Sequence, residues 1–236
     1  FFNSLNFILK KKKIKKIIIG YDNRKSNKKI LKIILENIIY SKKILILDKP
    51  ISTPGLQFLL KELKCFGVMI TASHFPAKYN GFKFFLNGSK LKKSYEIIIE
   101  KNLIKRTTFP KKKKVIYVKK KMNQSKYIDY LNKHTDNQIN SKIKIDCSNG
   151  SASFLKDKLK FFNNSKLINY DKDGMKINLN CGSNNLEKNL KIGNIKNYEF
   201  LFAFDGDADR FLVAQKDYGV IETEKIALIY AIYFLK

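Results

Sequence analysis

Short apolar runs alternate with longer segments of helical periodicity over the first 70 residues, and this alternation limits the fold more than any other feature. The runs are rich in Ile, which favours strands, and they are too short for helices. The segments in chain order are strand 16–20, helix 28–39, strand 44–47, helix 53–63 and strand 66–70. Strands separated by helices predict parallel pairing with right-handed crossovers, and therefore an α/β domain.

The same kinds of segment continue to the end of the chain. Thr53 before Pro54 predicts the start of the second helix, as an N-cap followed by Pro at the first helical position. Asn87-Gly88 predicts a hairpin turn. Further segments are helix 94–104, strand 115–118, helix 124–133, strand 142–147, a helix through Phe154 and Leu159, strands 167–170, 199–204 and 211–215, and helix 226–235.

A polar stretch at residues 134–141 separates two such series of segments. The second series begins again with an apolar strand, as a second domain of the same class would. We therefore place the domain limits at 1–138 and 139–236, and expect two successive α/β domains with mixed, mainly parallel sheets.

Composition argues against several classes of protein. Apolar residues make up 44% of the 236 residues, and no apolar run approaches the roughly 18 residues that span a bilayer. The opening, FFNSLNFILKKKK, has no charged segment ahead of its apolar part, unlike a signal peptide. Cys65, Cys147 and Cys181 form no CxxC pair, which predicts neither a disulfide scaffold nor a zinc site. The expectation is a protein of the reducing cytoplasm without membrane association.

The net charge of +28 first suggests nucleic acid as a partner, because basic residues neutralise phosphates. Only Arg24, Arg106 and Arg210 among the 48 basic residues are arginines, whereas base readout favours bidentate Arg. The lysines are also spread along the whole chain. We therefore expect no specific nucleic-acid partner, and keep a basic nucleic-acid-binding module as an alternative hypothesis.

Polar side chains follow three of the predicted strands at their carboxyl ends, where doubly wound sheets bind ligands. In chain order these side chains are Asp22 and Arg24, then Ser73 and His74, then Asp205. A hydroxyl, cations and carboxylates are therefore expected at edges where ligands bind.

The segment FDGDADR, residues 204–210, is the strongest single signal. In a flat strand its outer two carboxylates would stand roughly 13 Å apart, too far for one ion, but Gly206 permits a curled loop. Such a loop would bring Asp205, Asp207 and Asp209 onto one hard divalent cation, Mg²⁺ or Ca²⁺.

Two other interpretations of this segment exist. Arg210 and Lys216 stand where an EF-hand loop needs Gly and Glu, which excludes that motif. A solvated acidic hairpin turn is the other, since Asp and Gly are common turn formers.

Ser73 is interpreted together with this predicted metal loop. A lone Ser beside a His commonly caps a helix or bonds within a turn, and the adjacency of Ser73 and His74 is no evidence for a catalytic triad. A hydroxyl at one strand end, a metal loop at another and basic groups are, together, the parts that phosphoryl transfer requires. Arg24 and Lys83 would hold or protonate phosphate oxygens, and Lys83 is equally interpreted as surface charge.

Three motifs of the chain resemble those of the α-D-phosphohexomutase family. The family's serine loop T/S-A-S-H-N-P-x-x-x-N-G-x-K is similar to TASHFPAKYNGFK at 71–83, its metal loop D-G-D-x-D-R to 205–210, and its early G-x-D-x-R to 20–24. Within the family, DGMKINLNCGSNN at 173–185 is similar to a segment of the phosphoglucosamine mutase branch. The likeness covers essentially the whole chain, in order.

The resemblance implies the first two domains of such an enzyme, with a serine that is phosphorylated in the active form. Phosphorylated Ser73 would give its phosphoryl group to a hexosamine 6-phosphate, and would then take back the other phosphate of the bound 1,6-bisphosphate, leaving the 1-phosphate. Mg²⁺ is the implied cofactor, held by Asp205, Asp207, Asp209 and a phosphate oxygen on Ser73.

The resemblance also assigns expectations to basic residues. His74 and Lys83 fall on family positions for acid–base or electrostatic help, and Arg24 and Arg210 on positions near the phosphoserine. Phe75 stands where the family has Asn.

Three family motifs do not occur among the 236 residues. They are the opening F-G-T-D-G-I-R-G segment, the third-domain G-E-x-S-G-H loop that recognises the sugar, and the fourth-domain R-P-S-G-T-E-P phosphate clamp. Full activity is therefore expected to need further C-terminal domains or a partner chain. Phosphomannomutase or phosphoglucomutase activity, or a non-catalytic remnant of the family, stays open.

Overall fold

The computed structural model describes residues 2–40, 43–101, 116–120, 125–134, 141–155, 165–191 and 195–235. In chain order the elements are α1 (Phe2–Lys11), β1 (Lys16–Tyr21), α2 (Asn27–Asn37), β2 (Lys43–Leu47), α3 (Thr53–Leu63), β3 (Phe66–Ile70), β4 (Phe82–Leu86), β5 (Ser89–Lys90), α4 (Lys93–Lys101), β6 (Ile116–Lys120), α5 (Ser125–Lys133), β7 (Ile143–Asp146), β8 (Ser165–Ile168), α6 (Leu186–Lys191), β9 (Phe200–Phe204), β10 (Phe211–Gln215), β11 (Gly219–Ile221) and α7 (Thr223–Phe234). Short 3₁₀ helices lie at Ser151–Leu155 and Ser183–Asn185. None of the helices described is both long and apolar enough to cross a membrane.

The chain divides into two compact units, and the second includes a short segment from within the first. The first unit holds Phe1–Ala72 and Lys78–Tyr127, and the second holds Ser73–Ala77 and Ile128–Lys236. The segment Ser73–Ala77 therefore belongs to the second unit although it lies between β3 and β4 in the chain. The domain limit near residue 139 stays a prediction.

The first unit is built on a six-stranded sheet in the order β5-β4-β3-β1-β2-β6. β1 pairs in parallel with β2 and β3, and β2 with β6, whereas β4 and β5 are antiparallel additions. Both faces of β1 are covered, because Ile17 and Ile19 pack into one apolar cluster and Ile18 into another. The mixed, mainly parallel α/β sheet predicted from the sequence is confirmed for this unit.

Helices cover the sheet on its two sides. The cluster around Ile17 includes side chains from α1, α2 and α4, and the cluster around Ile18 includes side chains from α3. Helix α1 was absent from the sequence prediction, although its Leu5, Ile8 and Leu9 are fully buried.

Two local predictions, the N-cap of α3 and the Asn87-Gly88 hairpin turn, can be compared with the structure. The predicted N-cap of α3 was wrong by one residue: Ser52, not Thr53, is the cap, because its backbone is extended and its Oγ accepts from the Gly55 N–H at 3.2 Å. The predicted hairpin turn joins β4 to β5, where Asn87 and Gly88 have φ of 53° and 84°.

The second unit is built on a five-stranded sheet in the order β11-β10-β9-β7-β8. β7 pairs in parallel with β8 and β9, and β9, β10 and β11 are antiparallel. The predicted helix through Phe154 and Leu159 is a 3₁₀ helix as far as Leu155, and its remainder lies outside the described residues, as does the end of the predicted helix 94–104. The mixed α/β class is confirmed here as well.

Candidate active site

The acidic loop turns back on itself between β9 and β10. The Ala208 N–H donates to the Asp205 carbonyl at 3.1 Å, and the N–H groups of Asp209 and Arg210 donate to Asp205 Oδ1 at 3.2 and 3.3 Å. As a result, carboxylate oxygens of Asp205, Asp207 and Asp209 lie within 4.8 Å of one another. The curl of the loop thus removes the separation that a flat strand would impose.

The electrostatics of this loop favour a cation. Asp205 and Asp207 are buried and Asp209 is exposed. Burial raises the pKa of Asp205, and the neighbouring charge of Asp207 raises it further. Several carboxylates of hard oxygen character at this spacing fit a divalent cation such as Mg²⁺, whose charge would relieve their repulsion.

Ser73 contacts the acidic loop directly. Its hydroxyl donates to Asp205 Oδ2 at 2.5 Å and accepts from Arg210 Nη2 at 2.5 Å. Arg210 also donates to Asp205 Oδ2 through Nε at 3.2 Å and through Nη2 at 3.0 Å. The same Nη2 lies 2.5 Å from His74 Nδ1. Four residues singled out from the sequence therefore form one cluster in the second unit.

The backbone of Ser73 is held in an unusual conformation. Its φ is 50°, in the left-handed region, which costs a residue with a Cβ about 1–2 kcal/mol. A Cβ on Gly206 would lie 2.6 Å from the Ser73 carbonyl oxygen, so only glycine permits the acidic loop to approach so closely. Ser73 itself is buried, with 8% of its surface exposed.

Asparagines in residues 173–185 also contact the serine segment, and the sequence did not predict these contacts. Asn178 Nδ2 donates to the carbonyls of Ser73 and Phe75 at 2.8 and 2.9 Å, and Asn184 Nδ2 donates to the His74 carbonyl at 3.1 Å. The only signal was the resemblance of this stretch to one branch of a family, since contacts between residues about 105 positions apart leave no local pattern.

Phe75, which stands where the family pattern has Asn, lies within this arrangement. Its side chain is half exposed, and its ring centroid lies 4.5 Å from that of His74. Its carbonyl is one of the two that Asn178 holds. The backbone of Phe75 therefore helps to fix the segment, while its side chain covers the histidine.

The other predicted site residues, Arg24 and Lys83, lie in the first unit. Arg24 is buried and donates from Nε to Asp22 Oδ2 at 2.9 Å and from Nη1 to the Tyr79 carbonyl at 3.1 Å. Lys83 lies on β4 opposite Met69 of β3 and is half-buried. The Arg24 guanidinium thus forms a buried ion pair with Asp22 in its own unit, and its expected role near the phosphoserine stays a prediction.

Asp22 is the centre of this buried cluster in the first unit. It accepts from the Thr71 hydroxyl at 2.8 Å and from Asn27 Nδ2 at 2.9 Å. Asn27 Oδ1 in turn accepts from Asn80 Nδ2 at 2.7 Å. Residues on both sides of the segment 73–77 are thereby tied to the end of β1.

Known proteins share both the sequence and the architecture of this chain. Residues 3–109 match the family model described as phosphoglucomutase/phosphomannomutase, alpha/beta/alpha domain I. A phosphoglucosamine mutase of Prochlorococcus marinus is 35% identical over 232 residues, covering 91% of this chain and 49% of the relative. One from Clostridium kluyveri is 33% identical, covering 92% of this chain and 50% of the relative. The chain thus spans about half the length of the curated relatives it matches.

Solved structures agree on the fold. A putative phosphomannomutase from Thermus thermophilus superposes with a TM-score of 0.80 at 21% identity, covering 99% of this chain and 56% of that one. A phosphoglucomutase/phosphomannomutase family protein from Burkholderia thailandensis gives a TM-score of 0.78 at 19% identity, with 99% and 54% covered. With its family-model match, its relatives and its fold in agreement, the chain belongs to the α-D-phosphohexomutase family.

Proposed function

We propose that this chain is the phosphoserine- and metal-bearing part of a phosphoglucosamine mutase, which interconverts glucosamine 6-phosphate and glucosamine 1-phosphate. One observation carries the proposal: the Ser73 hydroxyl lies 2.5 Å from Asp205 Oδ2. Asp205 belongs to a loop in which oxygens of three carboxylates lie within 4.8 Å of one another. A hydroxyl beside a ready-made cation site is the arrangement that a phosphoenzyme needs. The name of the relatives supports glucosamine phosphate as the substrate.

The reaction consists of two phosphoryl transfers. In the first, the sugar C1 hydroxyl attacks the phosphorus on Ser73, the Oγ–P bond breaks, and the hydroxyl proton is passed to the released Ser73 oxygen. The resulting 1,6-bisphosphate then reorients, so that its 6-phosphate faces Ser73. Ser73 Oγ then attacks the 6-phosphate, the sugar O6–P bond breaks, and O6 takes the proton, which leaves the 1-phosphate and regenerates the phosphoserine.

The residues of the second unit have defined tasks in these transfers. Asp205, Asp207 and Asp209 would hold Mg²⁺, which when bound supplies positive charge against the phosphate oxygens. Arg210 Nη2, at 2.5 Å from Ser73 Oγ, stabilises negative charge on that oxygen as the Oγ–P bond breaks. His74, whose Nδ1 adjoins the same Nη2, would give acid–base or electrostatic help to the transfer.

The proposal includes components that this chain does not supply. The family motifs for sugar recognition and for the phosphate clamp are not among its 236 residues, so we expect turnover to need further domains or a partner chain. Discrimination against mannose or glucose phosphates would reside in those parts. The cytoplasmic location expected from the sequence stays a prediction.

Transfer of phosphate to Ser73 tests the proposal without requiring full turnover. The chain is incubated with Mg²⁺ and glucose 1,6-bisphosphate or glucosamine 1,6-bisphosphate, and intact mass and peptide mapping locate any added phosphoryl group. We expect one phosphoryl group on Ser73 and none in the Ser73→Ala variant, with Ser89→Ala, at an exposed strand position, behaving as the parent. Absence of phosphate on Ser73 with either donor would favour a non-catalytic remnant of the family.

A further inference from the structure

Asn178 connects three parts of the second unit through one side chain. Its Nδ2 donates to the Ser73 and Phe75 carbonyls at 2.8 and 2.9 Å, and its Oδ1 accepts from Ser148 Oγ at 2.5 Å. Ser148 follows β7, so the contact joins a strand end of the sheet to the serine segment. No role for Asn178 follows from the sequence motifs.

The orientation of this amide follows from its partners. Backbone carbonyl oxygens only accept hydrogen bonds, so the nitrogen of Asn178 must face Ser73 and Phe75. The amide oxygen is left for Ser148, whose hydroxyl therefore donates. The reversed orientation would set an amide oxygen against two carbonyl oxygens. The side chain is thus fixed at both ends by complementary groups.

The support for Asn178 continues into the buried part of the unit. Its backbone N–H donates to the Ser148 carbonyl at 2.9 Å, so backbone and side chain bond to the same residue. The Ser148 N–H donates to Asp146 Oδ1 at 2.8 Å, and the Gly182 N–H donates to Asp146 Oδ2 at 2.8 Å. Asp146 is buried at the end of β7. Asn178 is therefore anchored to the sheet before it reaches the serine.

Gly206 packs close to the same carbonyl that Asn178 holds. The Ser73 carbonyl oxygen accepts from Asn178 Nδ2, and a Cβ on Gly206 would come within 2.6 Å of that oxygen and 3.0 Å of Nδ2. With its carbonyl held in this way, Ser73 keeps a φ of 50°, which is unfavourable for a free serine. That backbone conformation sets the direction in which Oγ leaves the chain, toward Asp205 and Arg210.

We infer that Asn178 is a positioning residue for phosphoryl transfer: by holding the Ser73 and Phe75 carbonyls it aims Ser73 Oγ at the metal loop. The inference rests on the proposed function. Because it acts through the serine backbone, Asn178 is expected to change the rate of phosphate uptake by Ser73 while leaving the metal ligands intact. A misplacement of about 1 Å at a reacting group costs on the order of 100-fold in rate.

Asn178→Asp tests this with little change in shape. Its carboxylate keeps an acceptor for Ser148 but sets an oxygen against the two carbonyls. Asn180→Asp is the matched control, since Asn180 is exposed in the same segment with φ of 54°, and among the described contacts its side chain makes no hydrogen bond to residues 73–77. Asn178→Gly removes the side chain where φ is 58°, which glycine adopts freely.

The first readout is the rate at which Ser73 of the full chain takes phosphate from glucose 1,6-bisphosphate with Mg²⁺. We expect both Asn178 variants to be slower by on the order of 10- to 100-fold, and Asn180→Asp to match the parent. Ser148→Ala should slow uptake less, and should add nothing in an Asn178→Gly background, because its contribution passes through Asn178. Equal rates for Asn178→Asp and Asn180→Asp, at unchanged Tm, would overturn the inference.

The second readout separates this inference from the proposed function. Amide hydrogen exchange of residues 73–77 should accelerate in the Asn178 variants and not in Asn180→Asp, whether or not the chain takes up phosphate. If the parent accepts no phosphate, the proposed function fails while exchange still reports on positioning. Unchanged exchange in both Asn178 variants would refute the positioning role on its own.

Discussion

The two units each place an aspartate–arginine pair directly after a strand of their sheet, and the two pairs differ in what surrounds them. In the first unit, Asp22 and Arg24 are both fully buried. In the second, Asp205 is fully buried but the Arg210 side chain is 53% exposed. One guanidinium faces one carboxylate in the first pair, whereas in the second it lies beside a loop with three.

The two pairs also differ in how their charges are balanced. The oxygens of Asp22 are bonded by Arg24, Asn27 and Thr71, so the charge is matched within the cluster. In the acidic loop, negative charge exceeds the positive charge of Arg210, and a hydroxyl stands at the contact. The same strand-end position thus carries a hydrogen-bonded ion pair in one unit and a cluster of three carboxylates in the other.

The largest expected effect is the loss of stability when the buried Asp22–Arg24 pair is broken. Asp22→Asn removes the carboxylate charge that pairs with the buried Arg24 guanidinium, and we expect it to lower the free energy of unfolding by about 3–5 kcal/mol. Asp205→Asn should cost much less, because losing this charge also relieves its repulsion with Asp207. Urea unfolding of both variants measures the two values. Equal losses would show that the pairs do not differ in kind.

Magnesium should change stability through the acidic loop that contains Asp205, and not through the Asp22–Arg24 pair. Mg²⁺ at about 100 times its Kd should stabilise the folded chain by roughly 2.7 kcal/mol, seen as a rise in Tm that Asp207→Asn abolishes and Asp22→Asn retains. The pKa of Asp205 is raised in the metal-free fold, chiefly by burial, so its contribution favours folding at low pH and is lost as pH rises through that pKa. Bound Mg²⁺ favours the ionised form.

The rise in Tm with Mg²⁺ should therefore be larger at about pH 8 than at about pH 5, because binding at the lower pH must displace protons. Thermal unfolding with and without Mg²⁺ at the two pH values measures it. A shift of the same size at both, or one that survives in Asp207→Asn, would place the bound ion elsewhere.

The smallest expected effect is the change in stability when either Arg24 or Arg210 is replaced by Lys. Arg24→Lys loses the paired contacts to Asp22 and Tyr79, which an ammonium cannot reproduce, and should cost roughly 1–3 kcal/mol. Arg210→Lys should change stability by less than about 1 kcal/mol, because its side chain is half in solvent. The same variant should nevertheless slow phosphate uptake by Ser73. A large stability loss for Arg210→Lys would mean that the Asp205–Arg210 pair also stabilises the fold.

Sequence reasoning succeeded where short-range periodicity decides the structure. The strands at 66–70 and 211–215 lie where they were predicted, because an apolar run of that length is too short for a typical helix and suits a buried strand. Helix α1 was missed because its segment was considered only as a leader. The N-cap at Ser52 was misplaced by one residue, since two neighbouring hydroxyls compete for one role.

The candidate site was predicted in its parts and not in its connections. The residue types around Ser73 and Asp205 indicated phosphoryl transfer, but nothing local states that Asn178 holds the Ser73 carbonyl. Likewise, no pattern in the sequence indicated that Asp22, the partner of Arg24, would also accept hydrogen bonds from Thr71 and Asn27. Long-range hydrogen bonds follow from the fold, so they became visible only with it.

The membership of Ser73–Ala77 in the second unit bears on how this gene could be divided. A polypeptide of residues 128–236 would carry the acidic loop and Asn178 without Ser73, and one of residues 1–127 would carry Ser73 without either. Recombination between relatives at the junction of the units would likewise join a serine segment to a loop from another protein. Division or exchange at this junction is therefore expected to break the contacts around Ser73, although each unit has its own sheet and its own apolar clusters.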